Sequence, residues 1–136
     1  MDPISLLRKA TPVLVVERIE PVLGFWHKVG MKAVTEVPGE GGLVFVILAA
    51  AGLEIMYQTA ASVRTDLIAS SCDPGAFRSG PQQSTLYVEV AGIAAVEQQL
   101  QGERLVMPRR KTFYGAVEVG YADPAGNIVV FAERQA

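Results

Sequence analysis

Thr11-Pro12-Val13-Leu14-Val15-Val16 and Thr85-Leu86-Tyr87-Val88-Glu89-Val90 open two copies of one pattern, about 74 residues apart. Both runs are apolar and rich in β-branched residues, so each reads as a strand. Residues 19–28 follow the first run and carry Val22, Leu23, Phe25 and Trp26 at helical spacing. Residues 93–101 follow the second as a helix, and Gly30 and Gly102 stand where the two helices should stop. Strand-like runs come next: 32–37, 43–49 and 53–58 in the first copy, and 104–107, 116–122 and 128–133 in the second. Pro38-Gly39-Glu40-Gly41-Gly42 and Asp123-Pro124-Ala125-Gly126-Asn127 read as turns from their proline and glycine content. Arg109-Arg110-Lys111 falls between two strands as a solvated charge run. Each copy is therefore strand, helix, strand, strand, strand. A repeated unit of this kind stacks on its twin to complete a core. The expected fold is α+β: two βαβββ modules forming a curved, eight-stranded open sheet around a cavity.

The chain of 136 residues suits a single domain spanning 1–136. Its modules cover about 11–58 and 84–133, with a linker over 59–83 that contains a short helix at 60–68. Half of the residues are hydrophobic and the mean hydropathy is +0.28, which excludes a disordered chain. A net charge of −2 leaves no electrostatic footprint for nucleic acid. The lone cysteine, Cys72, cannot close an internal disulfide and lies in a polar loop without a basic partner, so it is not expected to be a nucleophile. Asp2-Pro3 ahead of Ile4, Leu6 and Leu7 reads as the start of a short helix rather than a signal peptide. No apolar run approaches the ~20 residues that span a bilayer. The expected setting is cytoplasmic, without membrane contact.

Ile19-Glu20, Phe25-Trp26 and Val29-Gly30-Met31 together resemble the first helix and turn of the vicinal oxygen chelate superfamily. That group includes glyoxalase I, bleomycin resistance proteins and ring-cleaving dioxygenases. Asp123-Pro124-Ala125-Gly126-Asn127 before an apolar strand is similar to its Asp-Pro-x-Gly-Asn turn, and Leu53-Glu54-Ile55-Met56 to the strand that ends its first module. The resemblance spans roughly residues 11–133. It implies a homodimer of paired cups, in keeping with exposed strand edges. Metal-using members place one ligand on the first and last strand of each module. Those positions align here to Thr11, Glu54, Thr85 and Val130. One carboxylate and two hydroxyls make a poor transition-metal site, so neither a metal nor another cofactor is expected.

Side chains alternate faces along a strand. If Glu54 faces the cavity, Met56 and Gln58 do too; if Thr85 does, Tyr87 and Glu89 follow. Val13, Val15, Val130 and Ala132 join them, and Glu118 and Gly120 lie opposite a helix-side row of Val117, Val119 and Tyr121. Phe113 and Tyr114 belong at the rim. The expected ligand-binding set is Thr11, Glu54, Met56, Gln58, Thr85, Tyr87, Glu89, Tyr114 and Glu118. Trp26 and Phe25 fit the core better than a ligand, and the single histidine, His27, belongs on the helix surface. Carboxylates inside a cavity need partners, which a cationic or amine-bearing ligand would supply. The leading expectation is metal-independent binding or sequestration of a small organic molecule, as in bleomycin resistance. The alternative is a lyase, isomerase or dioxygenase in which Glu54 is a general base or a metal ligand.

Overall fold

The computed structural model describes residues 6–70, 73 and 80–135. The expectations for Asp2-Pro3 and Cys72 lie outside them. The first module is β1 (Val13–Val16), α1 (Glu20–Lys28), β2 (Lys32–Gly39), β3 (Gly42–Ala50) and β4 (Leu53–Thr59). Helix α2 (Ala60–Ala69) follows within the connection. The second module is β5 (Thr85–Glu89), α3 (Ile93–Gln99), β6 (Arg104–Lys111), β7 (Ala116–Ala122) and β8 (Ile128–Arg134). Hydrogen bonds join these strands into two four-stranded mixed sheets with matching orders, β1-β4-β3-β2 and β5-β8-β7-β6. In each, the first strand runs parallel to the last and the other pairs are antiparallel.

Two strands run further than their composition predicts. β2 continues through Pro38, which pairs with Leu43, and β6 continues through Pro108 to Lys111. Proline lacks the N–H that a central strand must donate. Both strands are sheet edges, so the missing donor faces outward, and register irregularities accompany each proline. Arg109-Arg110-Lys111 is consequently part of a strand rather than a loop, which changes what Arg110 can reach.

Helix α1 starts with a proline in its first turn and without a side-chain cap from Ile19. Glu20 instead reaches sideways and accepts a hydrogen bond from the Leu43 backbone N–H at 2.6 Å. This pins the helix start to the β2–β3 turn. The positive φ of Gly42 (+135°) calls for glycine, and a Cβ there, 2.6 Å from the Glu20 carboxylate, would also push that side chain from its place.

One continuous core joins the modules. Leu14, Val46, Leu48 and Tyr57 of the first sheet, with Phe25 and Trp26 of α1, belong to the same cluster as Ile93, Val119, Tyr121, Val129 and Phe131 of the second module. The aromatic rings interlock across the divide: Phe131 lies 6.4 Å from both Phe25 and Trp26 and 6.2 Å from Tyr121, centre to centre. The two helix-bearing faces are thus spent on each other. The opposite faces of the sheets, carrying Val13 and Met56 on one side and Thr85, Tyr87 and Glu89 on the other, remain partly or fully exposed.

Candidate functional site

Because β1 and β5 are each a sheet edge, the two modules leave a cleft between them. It measures about 410 Å³, within the range of small-molecule pockets. Lys9, Thr11 and Glu54 line it from the first module, and Leu86, Tyr87, Val88 and Glu89 from β5; Trp26 and Met31 reach it from the end of α1. Most of its surface is apolar, with a few polar groups placed at the sides.

Four of the expected site residues meet here: Thr11, Glu54, Tyr87 and Glu89. The Thr11 hydroxyl donates to Glu54 Oε1 at 3.3 Å, and Lys9 Nζ lies 3.1 Å from Glu54 Oε2. Glu89 is paired with Arg134 at 3.0 Å. Thr85 and Met56 are on the sheet faces but do not line the cleft. Gln58 is occupied by α2, donating to Ser62 Oγ at 3.1 Å and Asp66 Oδ2 at 2.8 Å. His27 is exposed on α1, near Glu36 across a shallow depression.

Glu118 and Tyr114 belong to a second group, joined to the cleft through Tyr87. Glu118 is 0 % exposed. Its Oε2 accepts the hydroxyls of Tyr87, at 2.5 Å, and of Tyr114. Its Oε1 accepts Arg110 Nε at 3.2 Å and Nη2 at 2.9 Å. Burial alone would raise the Glu118 pKa, but the bonds from Tyr114, Tyr87 and Arg110 outweigh it and hold the carboxyl below its ordinary value. The same arrangement pushes the Tyr87 hydroxyl well above the ordinary tyrosine range, chiefly through its bond to Glu118.

All three carboxylates thus have basic partners within the chain: Lys9, Arg134 and Arg110. The presumption that they wait for an external cation does not describe them. Sequence reading missed these bases for definite reasons. Lys9 precedes the first strand, Arg134 lies beyond the expected end of the last, and Arg110 faces Glu118 only because β6 runs on past Pro108.

A further group was not foreseen. Trp26 Nε1 donates to the Tyr57 hydroxyl at 2.8 Å, which donates to Asp123 Oδ2 at 2.7 Å. Asp123 Oδ1 accepts the backbone N–H groups of Ala125 and Asn127, both at 2.9 Å, and Asn127 Oδ1 accepts the Ser84 N–H at 2.8 Å. Burial first, and the Asp123 charge second, raise the Tyr57 pKa, so Tyr57 stays a donor. The Asp-Pro-Ala-Gly-Asn turn is therefore a clamp between modules that also fixes the Trp26 indole beside the cleft.

The residues do not fit the metal site that the family resemblance implies. Thr11 and Glu54 bond to each other, and the second module offers only Thr85 and Val130 in the matching places. Among the described residues no group of three or more His, Cys, Asp or Glu side chains could hold a metal ion. One carboxylate with two neutral hydroxyls lacks the imidazole or thiolate donors that zinc, nickel or iron favour.

Acid should weaken the fold through two carboxyls. Glu118 and Glu20 both have folded pKa values held below the ordinary glutamate value, Glu20 mainly through the Leu43 N–H. The stabilisation from each is complete above the unfolded pKa and is lost as pH falls through the lower folded value. Urea midpoints measured from pH 7 downward should drop in this window. Glu20→Gln should flatten that drop; an unchanged acid limb would remove Glu20 from the account.

Neither a family model nor a curated protein matches the sequence. Solved structures do match, over nearly the whole chain. A glyoxalase-related enzyme from Fulvimarina pelagi superposes with a TM-score of 0.71 at 18% identity, covering 95% of this chain and 89% of its own. A glyoxalase/bleomycin resistance protein/dioxygenase from Nocardioides gives 0.67 at 17% identity, covering 97% and 87%. A bleomycin-binding protein complexed with bleomycin gives 0.63 at 15% identity, covering 95% and 100%. With its paired βαβββ modules and mixed sheets, the chain has the glyoxalase/bleomycin resistance/dioxygenase fold, that of the vicinal oxygen chelate proteins.

Proposed function

We propose that the chain binds and sequesters a small organic molecule in the cleft between β1 and β5, without a metal. The observation that carries this reading is the cleft itself: about 410 Å³, mainly apolar, with Lys9, Thr11, Glu54, Tyr87 and Glu89 as its polar groups. Such a site needs only shape and a few placed hydrogen-bonding groups. That a similar structure was solved with bleomycin supports the same reading and supplies a first probe. The favoured ligands are amine-bearing. The favoured assembly is a cytoplasmic homodimer in which the exposed sheet faces of two copies complete each other. Among the described residues no helix is long and apolar enough to cross a membrane.

Trp26 is the only tryptophan and reaches the cleft, so its fluorescence reports occupancy directly. A panel of bleomycin and aromatic amines should give saturable changes in that signal. Leu53→Arg, at an exposed position on the cleft wall, should weaken them about tenfold, equal to ~1.4 kcal/mol. No response from any compound, or a response indifferent to Leu53→Arg, would overturn the assignment.

The enzymatic alternative retains one supporting observation, the place of Glu54 on the cleft wall beside the Thr11 hydroxyl. In that case Glu54 would act as a general base on a bound carbon acid. Recovery of the bound compound chemically unchanged after prolonged incubation would favour sequestration. Turnover that disappears in Glu54→Gln would favour catalysis.

A further inference from the structure

Glu118 lies on β7 and Tyr87 on β5, with β8 between them. Tyr87 pairs in register with Val130, and Glu118 with Ala132. The Tyr87 hydroxyl nevertheless reaches the carboxylate across β8. Arg110 faces Glu118 from the other side, on β6. The result is a fully buried carboxylate with four incoming hydrogen bonds, two on each oxygen. That matches the acceptor capacity of a carboxylate, so nothing remains on Glu118 for a ligand.

The consequence falls on the tyrosines. An ionised carboxylate has no hydrogen to give, so both phenols must donate to it. A tyrosine hydroxyl has one hydrogen. With it committed, the Tyr87 and Tyr114 oxygens keep only lone pairs. The residues are 51 % and 48 % exposed, so their rings are open to a ligand beside the bonded hydroxyls. Donation to a charged acceptor also polarises each hydroxyl and strengthens its lone pairs as acceptors. Phe113, fully exposed and edge-on to Tyr114 at 5.1 Å, extends the aromatic surface. Ring faces attract cations in their own right.

Resting on the binding function proposed above, we infer that Glu118 is a positioning residue that makes Tyr87 and Tyr114 acceptor-only contacts, so that this face selects ligands by their N–H groups, aromatic primary ammonium compounds above all. Net charge does not make the selection. Glu54, Glu89 and Glu118 are each balanced by Lys9, Arg134 and Arg110. The polarity of the hydrogen bonds makes it instead. Tyr87 lines the cleft and also bonds to Glu118, so it joins the cleft to the cluster.

The test uses flat probes that differ in what they donate. Phenethylammonium should bind the wild-type chain about tenfold more tightly than its N-trimethyl counterpart, which keeps the charge and lacks N–H groups, as expected for a charge-assisted bond. Among neutral probes at pH 7.5, indole, which only donates, should bind about fivefold more tightly than quinoline, which only accepts. In Glu118→Gln the amide carbonyl can keep Arg110 while the NH₂ group donates to the phenol oxygens. The phenol hydrogens then turn outward, and quinoline should overtake indole. Repeating the pair of probes in an Arg110→Met background removes the other donor that quinoline could use, so a reversal that persists there comes from the phenols. If Glu118→Gln does not fold, Tyr87→Phe with Tyr114→Phe should abolish the indole preference. Equal binding of the ammonium and its trimethyl form, a wild-type preference for quinoline through Arg110, or an unchanged order in Glu118→Gln would each overturn the inference. Trp26 fluorescence, read with phenethylammonium and its trimethyl form, separates the two levels: probes that perturb Trp26 without this order leave the cleft reading standing, and probes that neither bind nor perturb it defeat both.

Discussion

Asp123→Ala should lower the unfolding free energy by about 3–5 kcal/mol, the range for removing one member of a buried charged network. The carboxylate is buried and accepts from the Tyr57 hydroxyl, the backbone N–H groups of Ala125 and Asn127 and, at 3.5 Å, the Asn127 side-chain amide. Alanine leaves the fully buried Tyr57 hydroxyl without its acceptor. It also frees two turn amides just where β8 must begin, and an orphaned buried polar group costs ~1–3 kcal/mol on its own. The loss reaches both modules, because Tyr57 belongs to β4 of the first and Asp123 follows β7 of the second. Tyr57→Phe should cost less, about 1–2 kcal/mol, since it takes the acceptor from the Trp26 N–H and one donor from Asp123 Oδ2 but spares the turn. The double variant should fall short of the sum, because each change removes the same bond. Urea unfolding with unchanged m-values reads all three. A loss below ~1 kcal/mol for Asp123→Ala would mean that water replaces the carboxylate freely and the turn is no clamp.

That clamp also marks where the sequence stopped being legible. The Asp-Pro-Ala-Gly-Asn segment announces a turn through its proline and glycine, and the turn is there. Nothing in its composition names Tyr57 as the partner of its carboxylate, 66 residues away in the other module. The repeat revealed the two modules because periodicity and breakers are local signals. It could not reveal that their helix-bearing faces pack together and leave a cleft between β1 and β5. The expected strands stop at Val37 and Met107, just before Pro38 and Pro108, because edge position is a tertiary property. Strand parity placed Tyr87, Glu89 and Glu118 on one side of the second sheet, and Tyr87 does reach Glu118 there. Parity says nothing of charge balance, however, and Lys9, Arg110 and Arg134 come from the margins of the predicted strands. The face expected to be acidic is therefore neutral, and its preference for donors has to come from the orientation of hydrogen bonds.

The second large effect should come from Phe131→Ala, again about 3–5 kcal/mol, as for deletion of a large core side chain. Phe131 is 1 % exposed on β8, and its ring meets Phe25, Trp26 and Tyr121 within 6.4 Å centre to centre. Two of those three partners come from α1 of the first module, so the ring is the main aromatic joint between the halves. Its removal forfeits apolar burial and the edge-to-face contacts with Trp26 and Tyr121, each worth ~0.5–1.5 kcal/mol beyond area. Against a typical domain stability of ~5–15 kcal/mol, such a loss leaves the chain folded but weak. Phe131→Leu keeps most of the volume and should cost clearly less. Phe131 also borders an apolar recess of about 260 Å³ that it shares with Trp26, Met31 and Val88. These three also line the cleft, so the cavity left by alanine should loosen the surface on which a ligand rests. Binding followed through Trp26 should then weaken in Phe131→Ala more than in Phe131→Leu at temperatures where both are folded. If unfolding of Phe131→Ala splits into two transitions, the aromatic joint is what makes the modules cooperative. If it stays single with the full energetic loss, the Tyr57–Asp123 clamp is enough to couple them.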